Sequence, residues 1–138
     1  MLALPSFCAN LKLMNIPPVR VLVIEDDALI AMLLSEMLAG MGHSVCATAA
    51  TESEAVTAAA HYGPDLMIVD AGLGQGSGVS AVEKIQRARP IAHLFISGDA
   101  EGVRERQPEA LVVKKPFRQI ELATAVTKAL AAARPSAR

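Results

Sequence analysis

The sequence predicts an α/β fold: a five-stranded parallel sheet with helices on both faces, a three-layer α/β/α sandwich. Three observations predict it. Short aliphatic runs rich in β-branched residues alternate along the chain with longer segments of helical periodicity. The runs are continuously apolar, the pattern of strands covered on both faces. Segments that could form crossovers separate them, and parallel neighbours need crossovers.

The elements follow in order. Val19 to Ile24 is the first aliphatic strand, and Asp26 or Asp27 caps the helix after it. Ala28 to Met41 carries Ile30, Leu33, Leu34, Met37, Leu38 and Met41 at helical spacing, and Gly42 is placed to end that helix in a left-handed turn. Leu29 and Met32 are extra apolar residues on this helix, read as core packing in preference to a partner surface. The second strand is His43 to Thr48. Thr51 and Glu54 have capping-box spacing, opening an Ala-rich helix that runs to about His61 and ends at Gly63-Pro64. LMIVD is the third strand, AGLGQGSG a flexible loop, and Val79 to Ala88 a helix stopped by Pro90. Ile91 to Ser97 reads as the fourth strand. GDAEGVRERQP leaves room for only a short fourth helix, or none, before the strand Ala110 to Val113. Phe117 to Ala133 closes the chain as a helix with Ile120, Ala123, Val126 and Leu130 inward. Residues 1–18 read as an extension, 19–133 as one domain and 134–138 as a tail.

Bulk properties narrow the function. The chain has 138 residues, enough for one domain with a real core, and is 52% hydrophobic with only 3% aromatic residues. Its net charge of -1 leaves no basic stripe for phosphate backbones, so direct nucleic-acid binding is not expected. Cys8 and Cys46 share no CxxC or zinc-type spacing, which fits a reducing cytoplasm. No stretch has the apolar length of a membrane span, and the first dozen residues lack the basic start and long apolar core of a secretory signal.

The residues that end the strands carry the functional signal. Glu25 and Asp26 follow the first, Asp70 ends the third, Ser97 the fourth, and Lys115 follows the fifth. In an open parallel sheet all five meet at one edge, where such folds bind ligands. Clustered carboxylates repel unless a cation sits among them, and an oxygen-only set suits magnesium (or manganese). Asp26 and Asp70 would bind it directly, Glu25 through water, with a backbone carbonyl near Gly72; Lys115 offsets the remaining charge. Singly, each residue has a plainer explanation as a helix cap, an Asx turn or a solvated charge. Their joint placement is the argument. GLGQGSG is neither a Walker A nor a dinucleotide loop, so nucleotide binding is disfavoured; it either lets backbone N–H groups approach an anion or is only a crossover. His43, His61 and His93 share no metal-like spacing and receive no role.

VLVIEDD, LMIVDAGLGQGSG, LFISGDA and VVKKPF resemble the signatures of the receiver domain of two-component response regulators, over about Val19 to Ala133. The resemblance implies a flavodoxin-like (CheY-like) fold with strand order 2-1-3-4-5 and a cis Lys115–Pro116 peptide. It also implies that Glu25 and Asp26 are the acidic pair, Asp70 the phosphoacceptor, Ser97 the switch hydroxyl and Lys115 the contact to the phosphoryl group. Three departures stand out. Gly74 replaces the usual proline after the phosphorylation site, which should loosen that loop. Val112 occupies the place of the switch aromatic. The Ser97–Lys115 segment is short, so the chain resembles the atypical FAT GUY subgroup with a degraded fourth helix.

The expectation is a stand-alone response regulator rather than an enzyme. Asp70 would accept a phosphoryl group from a histidine kinase or histidine phosphotransferase, with Ala71 and Gly98 donating backbone N–H bonds beside Ser97 and Lys115. No second domain follows Ala133, so output would pass to a downstream protein partner, with the chain a monomer or weak dimer and no membrane contact. Two alternatives belong to other classes. A vestigial receiver would act as a phosphorylation-independent interaction module. An aspartyl phosphatase would need a second Asp where Gly72 stands.

Overall fold

A computed structural model describes residues 17–133. Most of the 1–18 extension and all of the 134–138 tail expected above lie outside the described residues. Five strands, β1 (Arg20–Ile24), β2 (Ser44–Ala49), β3 (Leu66–Asp70), β4 (Ala92–Ser97) and β5 (Val112–Lys114), form one sheet. The order is β2-β1-β3-β4-β5 and every pairing is parallel. Five helices cover it: α1 (Ala28–Gly40), α2 (Glu52–Tyr62), α3 (Gly78–Ala88), α4 (Ala100–Arg106) and α5 (Gln119–Ala133). This is the flavodoxin-like architecture.

Strand side chains alternate between two cores, because successive residues point to opposite faces. Val21, Val23, Leu66, Ile68, Leu94, Ile96 and Val113 pack with Leu34 and Leu38 of α1 and with Leu122 and Val126 of α5. Leu22, Ile24, Met67, Val69 and Phe95 pack with Ala55 and Ala59 of α2, Val79, Val82 and Ile85 of α3, and Val103 of α4. The many alanines let helices approach the sheet closely, which is how a core with few aromatic rings stays filled.

The helix signals are used locally. Asp27, rather than Asp26, caps α1: its carboxylate accepts from the Leu29 and Ile30 N–H groups. Asp26 is thereby released for another role. Thr51 Oγ1 accepts from Glu54 N–H at 3.1 Å, while Glu54 reaches back to Ala50 N–H at 2.9 Å. Gly63 ends α2 at φ +54, a conformation costly for residues with a Cβ. Gly78 begins α3 directly against the end of β3, where a Cβ would collide with the Asp70 carbonyl oxygen and Val69.

Several expectations need correction. Leu29, Met32 and Leu33 are 73%, 53% and 48% exposed, not core. Because α1 is apolar nearly all round, only Leu34 and Leu38 on the sheet side are buried. Ile120, expected inward, is 41% exposed. The fourth helix is short, as the sequence implied: two turns, capped by Asp99, whose carboxylate accepts from Gly102 N–H. β5 begins two residues later than expected, because Ala110 N–H turns back onto Gln107, although the Leu111 carbonyl still accepts from Phe95 N–H. Within the 71–78 loop, Leu73 is buried and Ser77 caps α3.

Candidate phosphoacceptor and metal site

The carboxyl ends of β1, β3, β4 and β5 place the site, because the parallel sheet aligns them. Glu25, Asp26 and Asp70 each present a carboxylate oxygen, and all three oxygens lie within 4.8 Å of one another. Glu25 and Asp70 are buried and Asp26 is exposed. Lys115 reaches into the group: its Nζ donates to Asp70 Oδ2 at 3.0 Å and to Glu25 Oε1 at 3.4 Å. Its backbone N–H donates to the Ser97 carbonyl at 2.9 Å, which sets the lysine beside the buried serine. The Lys115–Pro116 peptide is cis. Ser97 Oγ accepts from Asp99 N–H at 2.9 Å.

The electrostatics follow from the crowding. Burial, then hydrogen bonding with Asp70, pushes the Glu25 carboxyl up to about 7; the Asp70 charge adds to this, and the Asp27 N–H and Lys115 oppose it. Lys115 is disfavoured by its own burial, yet the hydrogen bond and charge of Asp70, then those of Glu25, hold its ammonium above the ordinary value. Three acids and one ammonium leave excess negative charge, which is where a hard divalent cation fits. The surroundings leave room: a Cβ built at Gly72 or at Gly98 meets nothing within 4 Å.

The loop after Asp70 differs from expectation in one donor. Ala71 N–H is engaged by the Ile96 carbonyl at 3.0 Å, so it extends the sheet. Gly72 N–H instead donates to Asp70 Oδ1 at 3.0 Å and is the backbone donor at this carboxylate. An Asx turn after Asp70 was the signal that could have found it. Gly74 N–H donates to Asp26 Oδ2 at 2.8 Å, a bond that the proline usual at this place could not make. Glu52, unremarked in the sequence, binds the same loop through Ser77 N–H.

An open five-stranded parallel sheet with acids, a hydroxyl and a lysine at its carboxyl edge defines a receiver-type signalling domain. The chain belongs to the response regulator receiver domain family, whose pattern matches residues 21–127. It is 34% identical over 115 residues to the phyllosphere-induced regulator PhyR of Methylorubrum extorquens, covering 80% of this chain and 43% of that protein. It is 37% identical over 118 residues to the transcriptional regulatory protein PdtaR of Mycobacterium tuberculosis, covering 82% of this chain and 57% of that one. The chain thus matches about half the length of these relatives. The solution structure of the Erythrobacter litoralis PhyR receiver domain superposes with a TM-score of 0.79 at 34% identity, covering 88% of this chain and 97% of that one.

Proposed function

We propose that this chain is a phosphoacceptor receiver that takes a phosphoryl group on Asp70 from a phosphohistidine of a histidine kinase or histidine phosphotransferase. The observation that carries this reading is the Asp70 carboxylate hydrogen-bonded to Lys115 within a cluster of three acids. An Asp70 carboxylate oxygen attacks phosphorus, the O–P bond forms as the N–P bond breaks, and the electron pair returns to the imidazole, which takes up a proton. Asp26 and Asp70, with Glu25 through water and the Gly72 carbonyl, would hold a magnesium ion, which would supply charge neutralisation for the phosphoryl oxygens. Lys115 balances the acyl phosphate, and Ser97 with the Gly72 and Gly98 N–H groups forms the cradle for its oxygens. Lys115 already stands at Asp70 Oδ2, so no large movement is needed to meet the product.

The exposed Leu29, Met32 and Leu33 of α1 lie on the helix that follows the acidic pair, and Met32 lines the same cleft as Glu25 and Asp26. That apolar surface, on the helix next to the acidic pair, suits a protein phosphodonor. Output passes to a protein partner, with α4 and the 71–78 loop as the segments that respond to the new charge. Among the described residues no helix is long and apolar enough to cross a membrane.

Magnesium-dependent labelling of the chain by acetyl phosphate, located by peptide mass spectrometry, tests the assignment. Labelling is expected on Asp70 and absent from Asp70→Asn. A wild-type chain that binds no magnesium and takes no label would favour the interaction-module alternative.

A further inference from the structure

The contacts of Glu52 are denser than a surface acid at the start of a helix requires. Its N–H donates to the Gln75 carbonyl at 3.3 Å, and its Oε1 accepts from Ser77 N–H at 3.0 Å. Its Oε2 accepts from Ser80 Oγ at 2.8 Å and pairs with Lys84 Nζ at 2.7 Å. One residue of α2 thus holds the 71–78 loop at two points and α3 at two more. Lys84, then the Ser77 N–H and Ser80, hold the carboxyl down to about 2, so it stays ionised at any working pH. Gly76, at φ +83, lies so close that a Cβ there would come within 2.5 Å of Glu52 Cβ. The loop is folded directly onto this side chain.

Two residues earlier, Gly74 N–H meets Asp26 Oδ2, and a Cβ at Gly74 would sit 2.9 Å from that oxygen. Asp26 is the exposed member of the acidic trio, and Asp27 rather than Asp26 is held by the α1 N-terminus. The orientation of Asp26 therefore depends on where the loop presents the Gly74 N–H. We propose that Glu52 is a positioning residue for the acidic pocket, clamping the 71–78 loop so that Gly74 N–H orients the Asp26 carboxylate for a divalent cation. The inference rests on the magnesium-site reading given above, and extends it to a residue on a different helix with no contact to the cation.

The full chain is titrated with magnesium by calorimetry, and amide hydrogen exchange is followed in the metal-free protein. Glu52→Ala is expected to weaken magnesium binding about tenfold, the low end of what outer-shell partners of metal ligands contribute. It also speeds exchange at Gly74 and Ser77 while sheet amides keep their protection. Glu52→Gln keeps an acceptor for Ser77 N–H and restores most of the affinity. Gly76→Ala pushes the loop away with Glu52 intact, and is expected to weaken magnesium binding in the same way. A tether between α2 and α3 alone would lower protection across both helices and leave magnesium affinity unchanged. If the wild type binds magnesium and both Glu52→Ala and Gly76→Ala bind it equally well, the clamp is overturned and the pocket reading stands. If the wild type binds none, the pocket reading fails and takes the clamp with it.

Discussion

Asp26 shows how one side chain serves two balances. Its carboxylate adds to the repulsion among Glu25, Asp70 and itself, yet its oxygen atoms are what a cation would use. Asp26→Asn is therefore expected to stabilise the metal-free chain by about 1 kcal/mol, as relief of a like-charge contact does. It should also weaken magnesium binding at least tenfold. Urea unfolding without metal and calorimetry with it check the two directions. His43 makes a pH prediction. It is buried, its Nδ1 accepts from Val19 N–H, and its Nε2 has no hydrogen-bond partner among the described residues. Burial lowers its pKa below the ordinary 6.5. The unfolded chain takes up a proton as pH falls below about 6.5 while the folded chain resists it, so stability is full above that pH and declines below it. Unfolding midpoints at about pH 7.5 and about pH 5.5 should differ less in His43→Gln than in the wild type. The acids, the serine and the lysine were legible in the sequence because strand ends announce themselves. Glu52 was not, because an acid in the first turn of a helix is already explained by the helix dipole.

At the scale of elements, strands were easier to place than helix faces. A run such as LMIVD is apolar on both sides because both sides are covered, and that reads directly as a buried strand. α1 is apolar on nearly every side, so its periodicity does not choose a face, and Leu33 could not be told from Leu34. The structure separates them: Leu34→Ala should cost about 2–5 kcal/mol through the cavity it leaves. Leu33→Ala should cost within about 0.5 kcal/mol. Denaturant titration of the two variants gives the comparison. The Thr51 and Glu54 spacing was a dependable signal because it acts through local hydrogen bonds, and Thr51→Ala should cost about 1 kcal/mol. β5 has three residues at the sheet edge, and so brief a segment offers little pattern from which to set its limits.

For the whole molecule, alternation of elements told the class but not the order of strands, which came from the likeness of the motifs to a family. Short crossovers exclude many topologies and still leave several. Magnesium should stabilise the entire fold by mass action, since only the folded sheet brings the three acids together. At a hundredfold excess over the dissociation constant the gain is about 2.7 kcal/mol. Thermal unfolding with and without magnesium should show the gain in the wild type and its loss in Asp70→Asn. Gly78 carries a last consequence. Because the first residue of α3 rests on the main chain of Asp70 itself, position 78 is governed by clearance rather than by charge. A single added methyl group there would lever Asp70 out of alignment without touching any ionisable atom, so a variant would keep every charged group of the cleft and still lose its geometry.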